Sequence, residues 1–135
     1  MCVEDKVVKR LRELGLSITT AESCTGGLLA GTILNVSGAS AVYNEGHITY
    51  SNDAKERILG VSHETLVQYG AVSEQTAREM AAGAARIANA DVALSTTGIA
   101  GPGGGTPEKP VGLIYVGCYL KGKITVKNFV CKATE

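Results

Sequence analysis

Apolar residues near the start of the chain fall at Val3, Val7, Val8, Leu11 and Leu14, with Lys9, Arg10, Arg12 and Glu13 between them and Gly15 behind. Spacings of three and four predict an amphipathic helix that rests on something apolar and stops at the glycine. The period then changes: Leu16 to Ala21 is β-branched and alternating, which predicts a short strand. Past Gly26 and Gly27, Leu28 to Val36 returns to a helical pattern closed by Ser37-Gly38. Tyr43 to Tyr50 reads as a second strand broken at Gly46, followed by short helices over Asp53–Leu59 and His63–Tyr69. Ser73 is a good N-cap for a helix to about Asn89, whose many alanines allow close packing. A strand over Asp91–Thr97, a Gly/Pro-rich loop, and a hairpin of Val111–Leu120 with Lys123–Cys131 complete the pattern.

Helices thus interleave with strands, and the predicted class is α/β: one mixed sheet covered by helices on both faces, made partly antiparallel by the closing hairpin. A length of 135 residues is one domain's worth of chain, and neither an internal repeat nor a linker divides it.

Charge narrows the function. Thirteen Lys plus Arg balance thirteen Asp plus Glu, so no strong field steers the chain onto nucleic acid or an anionic membrane, and neither partner is expected. The N-terminus is charged and no run of about 18 apolar residues occurs, which predicts a soluble, cytoplasmic protein. Cys2, Cys24, Cys118 and Cys131 stand far apart without a C-x-x-C, and His47 and His63 fit no ligand motif. Reduced thiols, no metal and no cofactor are the expectation. Glycine is the compositional oddity, at 17 residues against a usual share of about 7%.

Both glycine-rich stretches directly follow predicted strands, where open α/β sheets place their ligands. In Ala21-Glu22-Ser23-Cys24-Thr25-Gly26-Gly27, small residues at a strand-to-helix turn would expose a hydroxyl and free backbone N–H groups, making a nucleophile or anion site. The stretch also fits a tight βα turn with a Ser or Thr N-cap. Neither G-x-G-x-x-G nor a Walker pattern is present in it. From Gly98 to Pro110 the chain holds Gly98, Gly101, Gly103, Gly104 and Gly105 among three prolines, flanked by donors from Thr96, Thr97, Thr106 and Lys109. Consecutive glycines let main-chain amides form an anion-holding nest, which points to a phosphate-bearing substrate; a mobile surface loop is the alternative.

The third stretch, Tyr50-Ser51-Asn52-Asp53-Ala54-Lys55, places Lys55 near a helix start. A serine hydroxyl needs a base, and without a suitable histidine a desolvated lysine can serve, although Lys55 taken alone reads as a solvated surface residue. Cys24 is a rival nucleophile with no recognisable partner histidine, and a small apolar side chain at a helix start is its commoner role.

Taken together, AESCTGG at 21–27, TYSNDAK at 49–55, and GAVSEQTAREMA followed by STTGIAGPGGGTPEKPVG at 70–112 resemble the C-terminal domain of the competence/damage-inducible protein CinA, the family of bacterial nicotinamide-nucleotide amidohydrolases (PncC). The resemblance runs from about residue 3 to residue 130. It implies a three-layer α/β/α sandwich, and hydrolysis of nicotinamide mononucleotide to nicotinic acid mononucleotide and ammonia in pyridine-nucleotide recycling, without a metal. It also implies roles: Ser23 as nucleophile, Lys55 as its base, and Tyr50 beside that lysine. Thr25, Gly26 and Gly27 match the amide-donating turn. The loop from Thr97 and Gly98 through Gly101, Gly103, Gly104 and Gly105 to Thr106 matches the substrate-phosphate or oxyanion side. Family members generally continue into a last helix carrying a site arginine, and nothing up to Glu135 matches it. The expectation is therefore a single domain over 1–135 that lacks that helix, with a non-catalytic nucleotide-binding or assembly module as the alternative function. Ala-rich helices and an unpaired sheet edge would support a homo-oligomer, most simply a dimer.

Overall fold

The computed structural model describes residues 1–132; the C-terminal end of the expected domain, residues 133–135, lies outside the described residues. Its strands are β1 (Ile18–Glu22), β2 (His47–Ile48), β3 (Val92–Gly98), β4 (Leu113–Leu120) and β5 (Lys123–Val130). They form one sheet in the order β2-β1-β3-β4-β5. The first three are mutually parallel, and β4 and β5 add the antiparallel hairpin. The helices are α1 (Val3–Leu14), α2 (Leu28–Leu34), α3 (Asn52–Leu59), α4 (His63–Tyr69) and α5 (Glu74–Ala88).

This strand order dictates the layers. From β1 the chain steps to β2 on one side, then returns past β1 to β3 on the other. Right-handed crossovers in opposite directions put α2 on one face and α3 to α5 on the other. The cores follow. Val8, Leu11, Ile33 and Val42 pack with Ile18 and Val92, whereas Leu59, Leu66, Met80 and Ala84 pack with Ala21 and Ala93. Alternation along β1 and β3 divides the faces: Ser95 donates to the Ala77 carbonyl of α5 at 2.6 Å, while Leu94 packs on the α1/α2 core. Glycine at 117 permits this close approach of α5, because a Cβ there would sit 2.8 Å from the Ala77 oxygen. The result is the expected α/β architecture, helices on both faces of a mixed sheet.

One element is shorter than its pattern. The strand expected over Tyr43–Tyr50 pairs only at His47 and Ile48, with an isolated bridge between Tyr43 and Ile18. The Tyr43 side chain folds across Gly46 and its hydroxyl hydrogen-bonds Thr20 Oγ1 at 2.9 Å, so the segment turns through Gly46 instead of continuing the ladder. A 3-10 turn over Ala39–Ala41, absent from the expected pattern, precedes it.

Candidate active site

The chain reverses its stepping direction between β1 and β3, and the crevice beyond their carboxyl ends is where an open sheet of this type binds ligands. Ser23 leaves β1 there, and Thr97 and Gly98 end β3 beside it. Lys55 arrives from α3, whose start is fixed by Ser51: its hydroxyl accepts from the Ala54 amide at 3.0 Å.

Lys55 is only 1% exposed. Its Nζ lies 3.0 Å from Ser23 Oγ, 2.9 Å from the Thr49 carbonyl and 3.2 Å from the Tyr50 carbonyl. Among the described residues no carboxylate pairs with it. Burial without a counter-charge pushes the lysine pKa down from its ordinary value. The cage fits both protonation states. An ammonium donates to all three oxygens; a neutral amine donates to the two carbonyls and turns its lone pair to the Ser23 hydroxyl.

The turn that carries Ser23 is held from below by Glu22, which is wholly buried. Oε1 accepts from Thr25 Oγ1 at 2.6 Å, Gly27 N at 3.2 Å and Leu29 N at 2.8 Å, and Oε2 accepts from Ala30 N at 2.9 Å. The backbone of Gly27 lies at φ +106°, a conformation that favours glycine. Ser23 N donates to the Thr96 carbonyl at 3.0 Å and Gly26 N to the Ser23 carbonyl at 3.1 Å. The N–H groups of Cys24 and Thr25 have no partner among the described residues. Gly26 and Gly27 thus shape the turn, while its unclaimed donors belong to the two residues after Ser23.

A cavity of about 230 Å³ opens over the pair, lined by Ser23, Lys55, Tyr50, Val72, Thr97 and Gly98 among others. An adjoining groove of about 270 Å³ shares Cys24 and Ala100 with it and is lined by Thr25, Leu28 and Ile114. A larger cleft, about 730 Å³, runs along α1 past Asp5, Lys9 and Arg12; size alone does not mark the site.

The sequence-derived candidates divide accordingly. Ser23, Lys55, Thr97 and Gly98 converge on the cavity. Thr97 Oγ1 is taken by the Ala71 carbonyl at 2.8 Å, and a Cβ at Gly98 would sit 2.6 Å from the Leu113 oxygen and 3.1 Å from Cys24 Sγ. Tyr50 borders the cavity, but the residue is 76% exposed and its carbonyl makes the bond to Lys55. Thr25 turns its hydroxyl to Glu22. The outer loop departs from expectation: Gly101, Gly103, Gly104, Gly105 and Thr106 are exposed and do not line the cavity. Gly101 and Gly105 fold around Val111, and Thr106 closes a local turn with Lys109, whose Nζ donates to the Tyr69 carbonyl at 2.6 Å. This bond ties the loop to the end of α4. Cys24 borders the cavity with a half-buried thiol whose pKa burial pushes up, which disfavours the thiolate.

Glu22 and Thr49 are the contributors that the sequence pattern does not single out, and Thr96, expected only as a donor flanking the loop, instead accepts from Ser23 N and bonds the Thr25 hydroxyl. A carboxylate ending an otherwise apolar and β-branched strand, immediately before a glycine turn, is the available signal for Glu22. Among the described residues no group of three or more His, Cys, Asp or Glu is placed to hold a metal ion, and no helix is long and apolar enough to cross a membrane.

Relatives agree with this architecture. A CinA-like protein of Kosmotoga olearia is 62% identical over 126 residues, covering 93% of this chain and 31% of that protein. The chain therefore spans about a third of the length of such curated relatives. The crystal structure of a competence/damage-inducible protein from Agrobacterium tumefaciens superposes with a TM-score of 0.92 at 47% identity, over 94% of this chain and 78% of that one. A competence-damaged protein (CinA) superfamily structure from Escherichia coli gives 0.93 at 38% identity, over 96% and 76% of the respective chains. Residues 2–135 match the CinA C-terminal domain, and the chain belongs to that family.

Proposed function

We propose that this domain is an amidohydrolase that deamidates nicotinamide mononucleotide to nicotinic acid mononucleotide and ammonia through a Ser-Lys mechanism. The observation that carries the chemistry is the buried Ser23–Lys55 pair: a lysine with only oxygen acceptors around it, 3.0 Å from a serine hydroxyl. Desolvation favours the neutral amine that a general base requires. The choice of substrate rests on the family resemblance of the three motifs.

In this reading neutral Lys55 takes the Ser23 proton as Oγ attacks the carboxamide carbon. Negative charge builds on the carboxamide oxygen, where the unclaimed Cys24 and Thr25 amides are the candidate donors. As the tetrahedral species collapses, the carbon–nitrogen bond breaks and Lys55 returns the proton to the departing nitrogen, releasing ammonia. Water then attacks the Ser23 ester, Lys55 accepts its proton and returns it to Oγ, and the carboxylate product leaves. The outer glycine loop has no assigned step. Four free cysteines fit a reducing, cytoplasmic setting for such an enzyme.

Ammonia release from nicotinamide mononucleotide tests the reading. Turnover lost in Ser23→Ala supports it; binding of the mononucleotide by calorimetry without ammonia release would favour a non-catalytic module.

A further inference from the structure

We infer that Glu22 is a positioning residue for the Ser23–Lys55 pair, holding both partners in register through its side chain and its backbone. This rests on the reading of Ser23 as nucleophile. α2 begins after Gly27, which has no side chain with which to cap it. The cap comes instead from the preceding strand: the Glu22 carboxylate takes the Gly27, Leu29 and Ala30 amides. No cation pairs with this buried acid among the described residues, so four donors carry its compensation.

The reach goes further than a cap. Because the Thr25 hydroxyl proton is directed to Glu22, Thr96 Oγ1 must donate to Thr25 Oγ1 at 2.7 Å, which ties the turn to the end of β3. On the other side the Glu22 carbonyl accepts from Thr49 N at 2.8 Å, and the Thr49 carbonyl is itself an acceptor for Lys55 Nζ. One residue therefore anchors the turn that presents Ser23 and the segment that cages its base. By occupying the later amides of the turn, it also confines the free donors to Cys24 and Thr25.

The test is Glu22→Gln, an isosteric change that replaces one acceptor oxygen with an NH₂ group. A fluorophosphonate probe reads Ser23 without a natural substrate: Oγ bonds to phosphorus, fluoride leaves, and the serine proton passes to Lys55. Labelling is followed by intact mass, with Ser23→Ala as the control and circular dichroism to establish folding. Misplacing a nucleophile by a fraction of an ångström to an ångström slows Ser23 labelling roughly 10- to 100-fold, and kcat on the mononucleotide should fall likewise while KM stays within about threefold. If Glu22→Gln does not fold, Thr25→Val removes the link to Thr96 and should slow labelling in the same direction. Wild-type labelling rates in a folded Glu22→Gln that melts at a lower temperature would overturn the inference, leaving Glu22 a stability element; so would wild-type rates in Thr25→Val. A wild-type protein that labels at Ser23 but releases no ammonia would overturn the substrate reading alone, and Glu22 would then be judged on labelling. Absence of wild-type labelling would overturn this inference as well.

Discussion

Lys55 Nζ sits 3.0 Å from Ser23 Oγ in a side chain that is 1% exposed, with its other two hydrogen bonds going to main-chain carbonyls. An ordinary surface lysine gains its charge freely from water; this one has exchanged water for three neutral oxygens. The arrangement disfavours the ammonium form and leaves more of the lysine as the neutral amine that can accept a proton.

The proposed mechanism makes Ser23, and not Cys24, the nucleophile. Ser23→Ala should reduce kcat by about a thousandfold or more, the usual consequence of removing a covalent nucleophile. Cys24 has a thiol made less acidic by burial, so Cys24→Ala should keep activity within about threefold. Steady-state ammonia release from the two variants checks both.

Lys55 carries two linked expectations. With its pKa lowered in the folded protein, kcat/KM should rise with pH along a limb whose midpoint lies below the ordinary lysine value of 10.5. Stability follows the same titration: the unfolded chain binds that proton more readily, so burying charged Lys55 is costly at pH below its folded pKa. The cost diminishes as pH rises from the folded pKa towards 10.5. Lys55→Met should therefore abolish turnover without lowering the thermal midpoint at neutral pH, and its stability advantage should shrink as pH rises. Activity profiles and melts at several pH values measure this.

Sheet packing gives a prediction independent of chemistry. Gly117→Ala would place a Cβ 2.8 Å from the Ala77 carbonyl and against Ser95 Oγ, forcing α5 off the sheet. A loss of about 1–3 kcal/mol is expected from such overpacking, read as the shift of a urea unfolding midpoint.

The outer loop supplies a contrast. Gly103 has nothing within 4 Å of a built Cβ, and its φ lies outside the left-handed range. Gly103→Ala should leave stability and kcat/KM nearly unchanged, within about twofold. Gly98→Ala, crowded by the Leu113 oxygen and Cys24, should impair both.

Much of this molecule was legible before its structure because its signals are local. Ser73 and Asn89 bracket α5 as a cap and a left-handed stop, and the period change at Leu16 marks where α1 gives way to β1. The Ser23–Lys55 pairing was legible only through the resemblance of motifs; the spacing between the two residues gives no sign of contact. Three-dimensional effects hid the rest. The Tyr43 side chain crossing Gly46 shortens β2, and the outer glycines stand exposed outside the cavity lining. A single charged residue in a strand carries no periodic signal, and the role of Glu22 lies in four donors that converge only when β1 and α2 meet.

Covalent catalysis by Ser23 is decided by a rapid-quench experiment with nicotinamide mononucleotide, in which released ammonia is quantified while peptide mapping follows Ser23. The expected result is a transient nicotinoyl-mononucleotide ester on the Ser23 peptide, forming with the first equivalent of ammonia and absent in Ser23→Ala. Undiminished ammonia release from Ser23→Ala, or an ester located on Cys24, would contradict it.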